Sequence, residues 1–212
     1  MGGRSLNGKS HRSRHLPSLA FLAVVFVALA LAAAAFVYAG IYNIGADSPH
    51  SRFVSAAIAE LREHAIARRS RSIVVPADLG DPRRIETGAG LYEEMCTGCH
   101  LGPGVEPSEL SQGLYPPAPE FAKTRERPAA QQFWIIKHGI KLSAMPAWGK
   151  THSDELIWDM VAFIRQLPRM SPQQYRAALA NAPADHDEIM KEMMPPAQSA
   201  HSDGTAAPGD RH

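Results

Sequence analysis

The only two cysteines among 212 residues stand in one pentapeptide, Cys96-Thr97-Gly98-Cys99-His100. This spacing matches what covalent haem attachment requires, because each thiol adds to one vinyl group of the porphyrin and the adjacent imidazole then lies under the iron. We therefore predict that Cys96 and Cys99 carry one haem c and that His100 is an axial ligand of its iron. A bound macrocycle would also fill the centre of a domain that is small for a self-sufficient core.

Three other uses of the cysteine pair are open at this point. A redox-active CxxC pair is expected beside a βαβ pattern, which the surrounding sequence lacks. A structural zinc site needs about four ligands, and no second Cys or His pair at short spacing is present. A short disulfide, or a chance spacing with no role, is the simplest alternative.

Residues 16–46 contain no charged side chain, and the apolar stretch from Leu19 to Tyr38 reaches the roughly 20 residues that a membrane-spanning helix requires. We predict a single transmembrane anchor there. Four basic residues precede it, so the positive-inside rule leaves residues 1–15 in the cytoplasm and sends the rest of the chain across the membrane; these are Arg4, Lys9, Arg12 and Arg14.

A cleaved signal peptide is the alternative interpretation of this segment. Ala33 to Ala35 and Ala39 offer small-residue cleavage points. The apolar run is longer than the roughly 7–15 residues of an ordinary signal sequence, which favours a retained anchor. Both interpretations place the CxxCH motif on the far side of the membrane.

Residues 47–74 are predicted to form an amphipathic connector. Ser48-Pro49 has the pattern of a helix cap followed by proline at the first helical position. Apolar residues then recur at helical spacing, as expected for a helix that lies near the membrane surface or against the following domain; they are Phe53, Ala56, Ala57, Leu61 and Ala65. A solvated spacer helix would have the same pattern.

Residues 75–170 are predicted to form an all-α domain, since no alternating strand pattern occurs. One helix starts at Asp81-Pro82 and leads to Cys96, a second runs from Ala129 to His138, and a third from Ser153 to Leu167. The proline- and glycine-rich residues 101–122 are expected to form an extended loop.

Residues 171–212 are predicted to be a largely disordered C-terminal extension, which begins with a short helix capped by Ser171 and Gln174. Soft ligands in this tail make copper binding a weak hypothesis, and chance in a solvated extension is the stronger explanation because their spacing is irregular; they are His186, Met190, Met193, Met194, His201 and His212.

A second axial ligand would make the haem an electron carrier, and a thioether ligand raises its potential. Met145 is the best placed of eight methionines, because it stands before Pro146 in a loop between two predicted helices, 45 residues after His100. Met160 belongs to an apolar helix stripe and is expected in the core. His138 is the one serious rival to Met145.

Residues 88–167 resemble a class I c-type cytochrome. The resemblance rests on Gly88 and Tyr92 ahead of the CxxCH motif, on the Met145-Pro146 loop, and on a last helix with Trp158 and Phe163 that crosses the first at its glycine. The chain is further similar to the membrane-anchored monohaem cytochromes of proteobacteria. Leu101 departs from the pattern, because many relatives have glycine there.

The resemblance implies a six-coordinate haem that passes one electron at a time, in a domain on the periplasmic side of the inner membrane. Redox proteins, such as membrane respiratory complexes, are the expected partners. A haem subunit of a larger oxidoreductase or terminal oxidase is the first alternative, and a five-coordinate haem sensor or peroxidase is the second. The net charge of +1 argues against nucleic acid as a partner.

Charge is unevenly distributed within the predicted domain. Residues 123–150 hold six basic side chains against Glu126 alone, whereas residues 72–122 hold two against eight acids. Such a dipole would steer the Met145 side of the domain towards an acidic partner. A solvated basic face without a partner is the alternative.

Overall fold

The computed structural model of the chain describes residues 18–183. The chain divides into two compact units at residue 45, so the described residues 18–45 belong to the first unit and residues 46–183 to the second. The described residues contain helices and no strand, as the all-α prediction requires. The predicted cytoplasmic segment 1–15 and the proposed copper ligands lie outside them. The helices are α1 Leu19–Tyr38, α2 Arg52–Arg69, α3 Pro82–Met95, α4 Thr97–His100, α5 Glu109–Gln112, α6 Ala129–His138, α7 Asp154–Ile164 and α8 Pro172–Ala180.

The first unit contains α1, an apolar helix of 20 residues. Ser18 caps it by accepting the N–H of Phe21, and Gly40 follows its end with φ +60. The mean hydropathy of its most apolar window is 2.8, and none of its residues is buried against protein. The helix is long and apolar enough to cross a membrane, although a signal sequence would meet the same criterion.

The connector helix α2 begins at Arg52, so the predicted start at Ser48-Pro49 is wrong. Ser51 is the cap, and its Oγ accepts the N–H of Val54 at 3.4 Å. The N–H of His50 instead donates to the hydroxyl of Tyr115 at 2.9 Å, a tertiary contact that holds residue 50 outside the helix.

The second unit is built around the crossing of α3 and α7, which bury most of the hydrophobic core between them. Asp81 and Pro82 begin α3 as predicted. Gly88 lies at the crossing, where a Cβ atom would overlap the backbone carbonyl of Asp159 and approach the Cβ of Phe163 to 3.0 Å. Only glycine lets the two backbones come this close.

Helix α6 has the predicted bounds and ends at His138, with Gly139 as its C-cap residue, whereas α7 is shorter than predicted. Ser153 caps α7, but the helix stops at Ile164 and a 3₁₀ turn follows over Leu167–Arg169. The ring of Pro168 clashes with the carbonyl four residues earlier in a continuing α-helix, which explains an end at Ile164.

Helix α8 packs on the domain. Ser171 and Gln174 form the predicted capping box. Tyr175 is only 2% exposed and lies directly on Gly102, and Pro172 lies on Gly104. The loop 101–122 contains one turn of helix, α5, where the sequence predicted no regular structure.

Candidate functional site

The CxxCH motif occupies one tight turn at the end of α3. Cys96 is the C-cap residue of α3, and α4 begins at the next residue, Thr97. The N–H groups of Cys99 and His100 both donate to the carbonyl of Cys96, at 3.1 and 2.8 Å. Cys96 is buried and Cys99 half-buried, and both are free thiols. The turn therefore presents two unpaired thiols and an imidazole side by side, with no disulfide between them.

Burial of the Cys96 thiol disfavours a redox-active role for it. Burial raises the pKa of the Cys96 thiol to about 12. A redox-active thiol needs the opposite shift, because the thiolate is the reactive form. Within residues 18–183, no group of three or more His, Cys, Asp or Glu side chains is arranged to hold a metal ion.

His100 is oriented by a backbone carbonyl 19 residues further along the chain. Its Nδ1 lies 2.9 Å from the carbonyl oxygen of Pro119. A carbonyl can only accept, so Nδ1 carries the proton and the neutral ring keeps its lone pair on Nε2. Burial lowers the pKa of His100, against the opposing effect of the hydrogen bond to Pro119, and so favours the neutral ring. Phe121 stacks on the ring at 4.5 Å.

Leu101, directly after the motif, has a backbone conformation that glycine adopts without strain. Its φ is +57 and its ψ is −176, a region nearly exclusive to glycine. The Tyr92 hydroxyl donates to its carbonyl at 2.5 Å, and its side chain is 5% exposed. Burial of this side chain offsets the strain that the departure from glycine introduces.

Met145 lies in a loop that closes back on the end of α6. Gly139 has φ +65, and a Cβ there would lie 2.7 Å from the carbonyl oxygen of Met145. The N–H of Ile140 donates to that same oxygen at 3.2 Å, and the N–H of Met145 donates to the Oγ of Ser143 at 3.2 Å. The Met145 side chain is half-buried and packs against the core cluster to which Cys96 belongs.

The two rival residues have other environments. His138 is exposed at the end of α6, where its ring contacts Trp134 at 5.1 Å. Met160 is fully buried in α7, as predicted for a core residue. Neither residue has the loop position of Met145.

Sequence reasoning missed a polar network that joins α8 to the CxxCH turn. The Tyr175 hydroxyl donates to the Glu93 carboxylate at 2.9 Å and lies 3.0 Å from Oγ1 of Thr97, one of the two residues between the cysteines. Burial raises the pKa of Tyr175, so the phenol stays protonated and donates. The partner could not be read from the sequence, because 82 residues separate Tyr175 from Glu93.

The predicted basic face is partly neutralised. Lys123 pairs with Glu120, Arg127 with Glu63, and Lys137 with Asp154. Three exposed cations have no ion pair within the described residues: Arg125, Lys141 and Lys150. The three acidic partners, Glu120, Glu63 and Asp154, all lie outside residues 123–150. A charge count over that interval alone therefore overestimates the positive charge of this face.

The donors present fit a covalently attached haem. Two free thiols share a turn with an imidazole whose Nε2 is free to bind iron, and a thioether borders the same core. The second unit thus contains every type of side chain that a c-type haem with His and Met ligands requires.

Comparison with known proteins agrees with this chemistry. Residues 83–164 match the family described as Cytochrome C oxidase, cbb3-type, subunit III. No curated protein and no solved structure matches the chain. The matched segment includes the CxxCH turn, the Pro119 carbonyl and the Met145 loop. The chain therefore contains a c-type cytochrome domain, whose cofactor is a covalently bound c-type haem.

Proposed function

We propose that the protein is a membrane-tethered one-electron carrier, in which Cys96 and Cys99 hold the haem and His100 and Met145 bind its iron. The observation that carries this proposal is the bond from Nδ1 of His100 to the Pro119 carbonyl, because it leaves Nε2 unprotonated and oriented. The haem supplies the one-electron iron couple when bound.

The chain's own residues would hold both ligands rigidly. The Pro119 carbonyl fixes the tautomer and ring orientation of His100 and increases its basicity. The closed loop from Gly139 to Pro146 restricts the backbone of Met145. A fixed imidazole and a fixed thioether would hold a bound iron without rearrangement of the protein, which suits electron transfer.

A pair of substitutions tests the ligand assignment. We expect Met145→Ala to retain the covalent haem but to lose the methionine–iron charge-transfer band of the oxidised protein. Its potential should fall, within the roughly 0.8 V range that axial ligands control. The matched control, His138→Ala, should leave both spectrum and potential unchanged. A wild type without that band, whose spectrum and potential change in His138→Ala but not in Met145→Ala, would make His138 the ligand.

The attachment of the haem is tested separately. We expect His100→Ala to abolish stable haem incorporation, because it removes the proximal ligand. Cys96→Ala and Cys99→Ala should each leave a haem with at most one thioether bond, which pyridine haemochrome spectra and the intact mass of the protein detect. A normal spectrum in either cysteine variant would contradict the assignment.

Tethering depends on retention of α1 as an anchor in the inner membrane, with the haem domain in the periplasm. Its length and apolarity support this part of the proposal. The intact mass of protein extracted from membranes tests it, since cleavage near Ala35 or Ala39 would remove α1. Protease protection in spheroplasts tests the side on which the domain lies.

A haem subunit of a respiratory oxidase is the second candidate function. The description of the matched family favours it over a sensor or peroxidase. Copurification of other subunits in mild detergent would support it. A sensor or peroxidase would instead bind carbon monoxide readily in the unmodified reduced protein, whereas a Met145 ligand should resist displacement.

Docking is proposed through the side of the domain that bears Met145. Exposed Lys141 and Lys150 flank the loop, and Leu142 between them is 95% exposed. A partner with acidic residues around a small apolar area would complement this surface. Association rates measured with the copurified redox partner should fall as salt is added, more steeply for the unmodified protein than for Lys141→Gln.

A further inference from the structure

Helix α2 is attached to the haem domain along one face. Ile66 is 1% exposed against the domain, and Ser70, just after the helix, is 5% exposed. Glu63 forms a two-point ion pair with Arg127, with both N–O distances at 2.7 Å. Because planar bidentate pairs restrict orientation, this face fixes how the helix is rotated about its axis.

The opposite face of α2 is apolar and exposed. Phe53, Ala57 and Leu61 are four residues apart and so form one line along the helix, with Ile58 beside them. Phe53 is 83% and Leu61 72% exposed. We call these four residues the outer stripe. No other part of the described chain covers it, and contiguous exposed apolar surface of this kind marks a contact with a membrane or another protein.

Basic residues accompany the outer stripe. Arg68 and Arg69 end the helix, Arg71 follows it, and Arg52 begins it. All four are exposed, and none forms an ion pair within the described residues. Of the two acidic residues of α2, Glu63 is paired with Arg127, whereas Glu60 contacts His64 at 3.4 Å and is neutralised only when that imidazole is protonated. An apolar line with unpaired arginines complements the boundary between acyl chains and anionic headgroups.

The chain itself brings α2 near such a surface. Only residues 39–51 separate the end of α1 from the start of α2, and a fully extended chain rises at most about 3.6 Å per residue. Apolar side chains continue through this connection, with Ile41 68% and Ile44 92% exposed. A bilayer crossed by α1 is therefore a surface that α2 reaches without any partner protein.

We propose that the outer stripe of α2 rests on the anionic surface of the bilayer, while the opposite face of the helix holds the haem domain. The helix would then set which side of the domain faces the membrane. This inference rests on the retention of α1 as an anchor, which is part of the proposed function.

The test uses the full, haem-loaded chain in nanodiscs made of phosphatidylcholine and phosphatidylglycerol. Cys96 and Cys99 are consumed by the haem, so Phe53→Cys and Leu61→Cys each add one labelling site. Ala177→Cys, on the exposed side of α8, is the matched control. We expect labels at 53 and 61 to be shielded severalfold from a water-soluble nickel quencher relative to 177. Haem spectra of all three variants should be unchanged.

Charge and lipid composition separate the possible results. The shielding should weaken in pure phosphatidylcholine and in Arg68→Gln/Arg69→Gln, but not in Arg176→Gln. Labels at 53 and 61 as accessible as 177 would overturn the inference. Shielding that occurs only in a complex with copurified protein would also overturn it, in favour of a protein interface. Failure of the chain to remain with the nanodiscs would instead count against the anchor.

Discussion

Leu101 and Leu142 are the two non-glycine residues with positive φ in the described chain, and their side chains have opposite environments. Their φ values are +57 and +59, but Leu101 is 5% exposed and Leu142 is 95% exposed. An L-residue in this region costs roughly 1–2 kcal/mol. Leu101 recovers that cost by burial, whereas Leu142 does not.

We predict that Leu142→Gly stabilises the haem-loaded protein by about 1 kcal/mol, because it removes the strain and exposes nothing. Leu101→Gly should destabilise it, since burial of a leucine side chain contributes roughly 1.5–3 kcal/mol. Urea denaturation followed by the haem absorption measures both. Leu101→Ala keeps the strain and should be less stable than Leu101→Gly; the reverse order would contradict the assigned backbone conformation.

Removing one oxygen tests the link between α8 and the CxxCH turn. Tyr175→Phe keeps the ring on Gly102 but removes the hydrogen bond to the Glu93 carboxylate. A hydrogen bond to a charged group contributes roughly 1.5–3 kcal/mol, so the melting temperature should fall accordingly. Gln173→Ala, at an exposed position of the same helix, is the control. Equal melting temperatures for wild type and Tyr175→Phe would show that water replaces the phenol.

The residue scale also shows what local sequence can predict. The CxxCH motif is a local pattern, and the thiols and imidazole do share one turn. The position of Met145 in a loop between helices followed from the flanking patterns. Pro119 could be predicted to lie in the loop but not to accept from His100, because its contribution is a backbone carbonyl that any residue carries.

At the scale of the element, the crossing of α3 and α7 depends on the absence of one side chain. We predict that Gly88→Ala destabilises the protein by about 3 kcal/mol or more, because its Cβ overlaps the Asp159 carbonyl and overpacking forces the helices apart. Gly90→Ala is the matched control on the same helix. Its Cβ has only ordinary contacts at 3.4 Å, and alanine should stabilise the helix by up to about 1 kcal/mol.

The attachment of α2 should depend on pH. The ion pair with Arg127 lowers the pKa of Glu63 below its ordinary value of 4.5. A lowered folded-state pKa means that the stabilisation is complete above the ordinary pKa and is lost as pH falls through the lowered one. Hydrogen exchange of α2 amides should therefore accelerate relative to α7 as pH falls below about 4.5. In Glu63→Gln, exchange of the α2 amides relative to α7 should be faster at every pH and should not accelerate further below about 4.5.

Helix ends were predictable where a cap acts alone. The bounds of α6 and the capping box of α8 follow from Gly139 and from Ser171 with Gln174, all of which act within a few residues. The start of α2 was not predictable, because Ser48 and Ser51 are equally good caps. The choice is made by the contact between His50 and Tyr115, 65 residues apart in sequence.

For the whole molecule, α8 is expected to be part of the folded domain. We predict that a chain ending after Met170 is less stable than one ending after Pro183 by at least about 3 kcal/mol, because it loses the burial of Tyr175 and two of its polar contacts. Thermal denaturation of the two haem-loaded chains measures this difference. Equal stability would mean that α8 is a dispensable appendage.

Ion pairs between residues far apart in sequence explain why the charge of the basic face was predicted incorrectly. The helical class, the apolar N-terminal helix and the haem chemistry follow from composition, periodicity and one motif. The basic face was overestimated because Glu63 and Asp154, which lie outside residues 123–150, neutralise Arg127 and Lys137. No local count can include partners that only the fold brings near.

The hydrogen bond between His100 and the Pro119 carbonyl anchors one end of the loop 101–122. Leu101 is held by Tyr92 at one end, and Pro119 is held by His100 at the other. Between them, Oγ of Ser108 donates to the Gly98 carbonyl of the CxxCH turn at 2.6 Å, so the loop has three anchored points. Doubling the length of a flexible loop costs only about 0.6 kcal/mol in closure entropy. An insertion at exposed Gly113, between Ser108 and Pro119, leaves all three anchored points in place. It should therefore leave the potential and the spectrum unaltered, so that a partner-binding segment added there would not retune the haem.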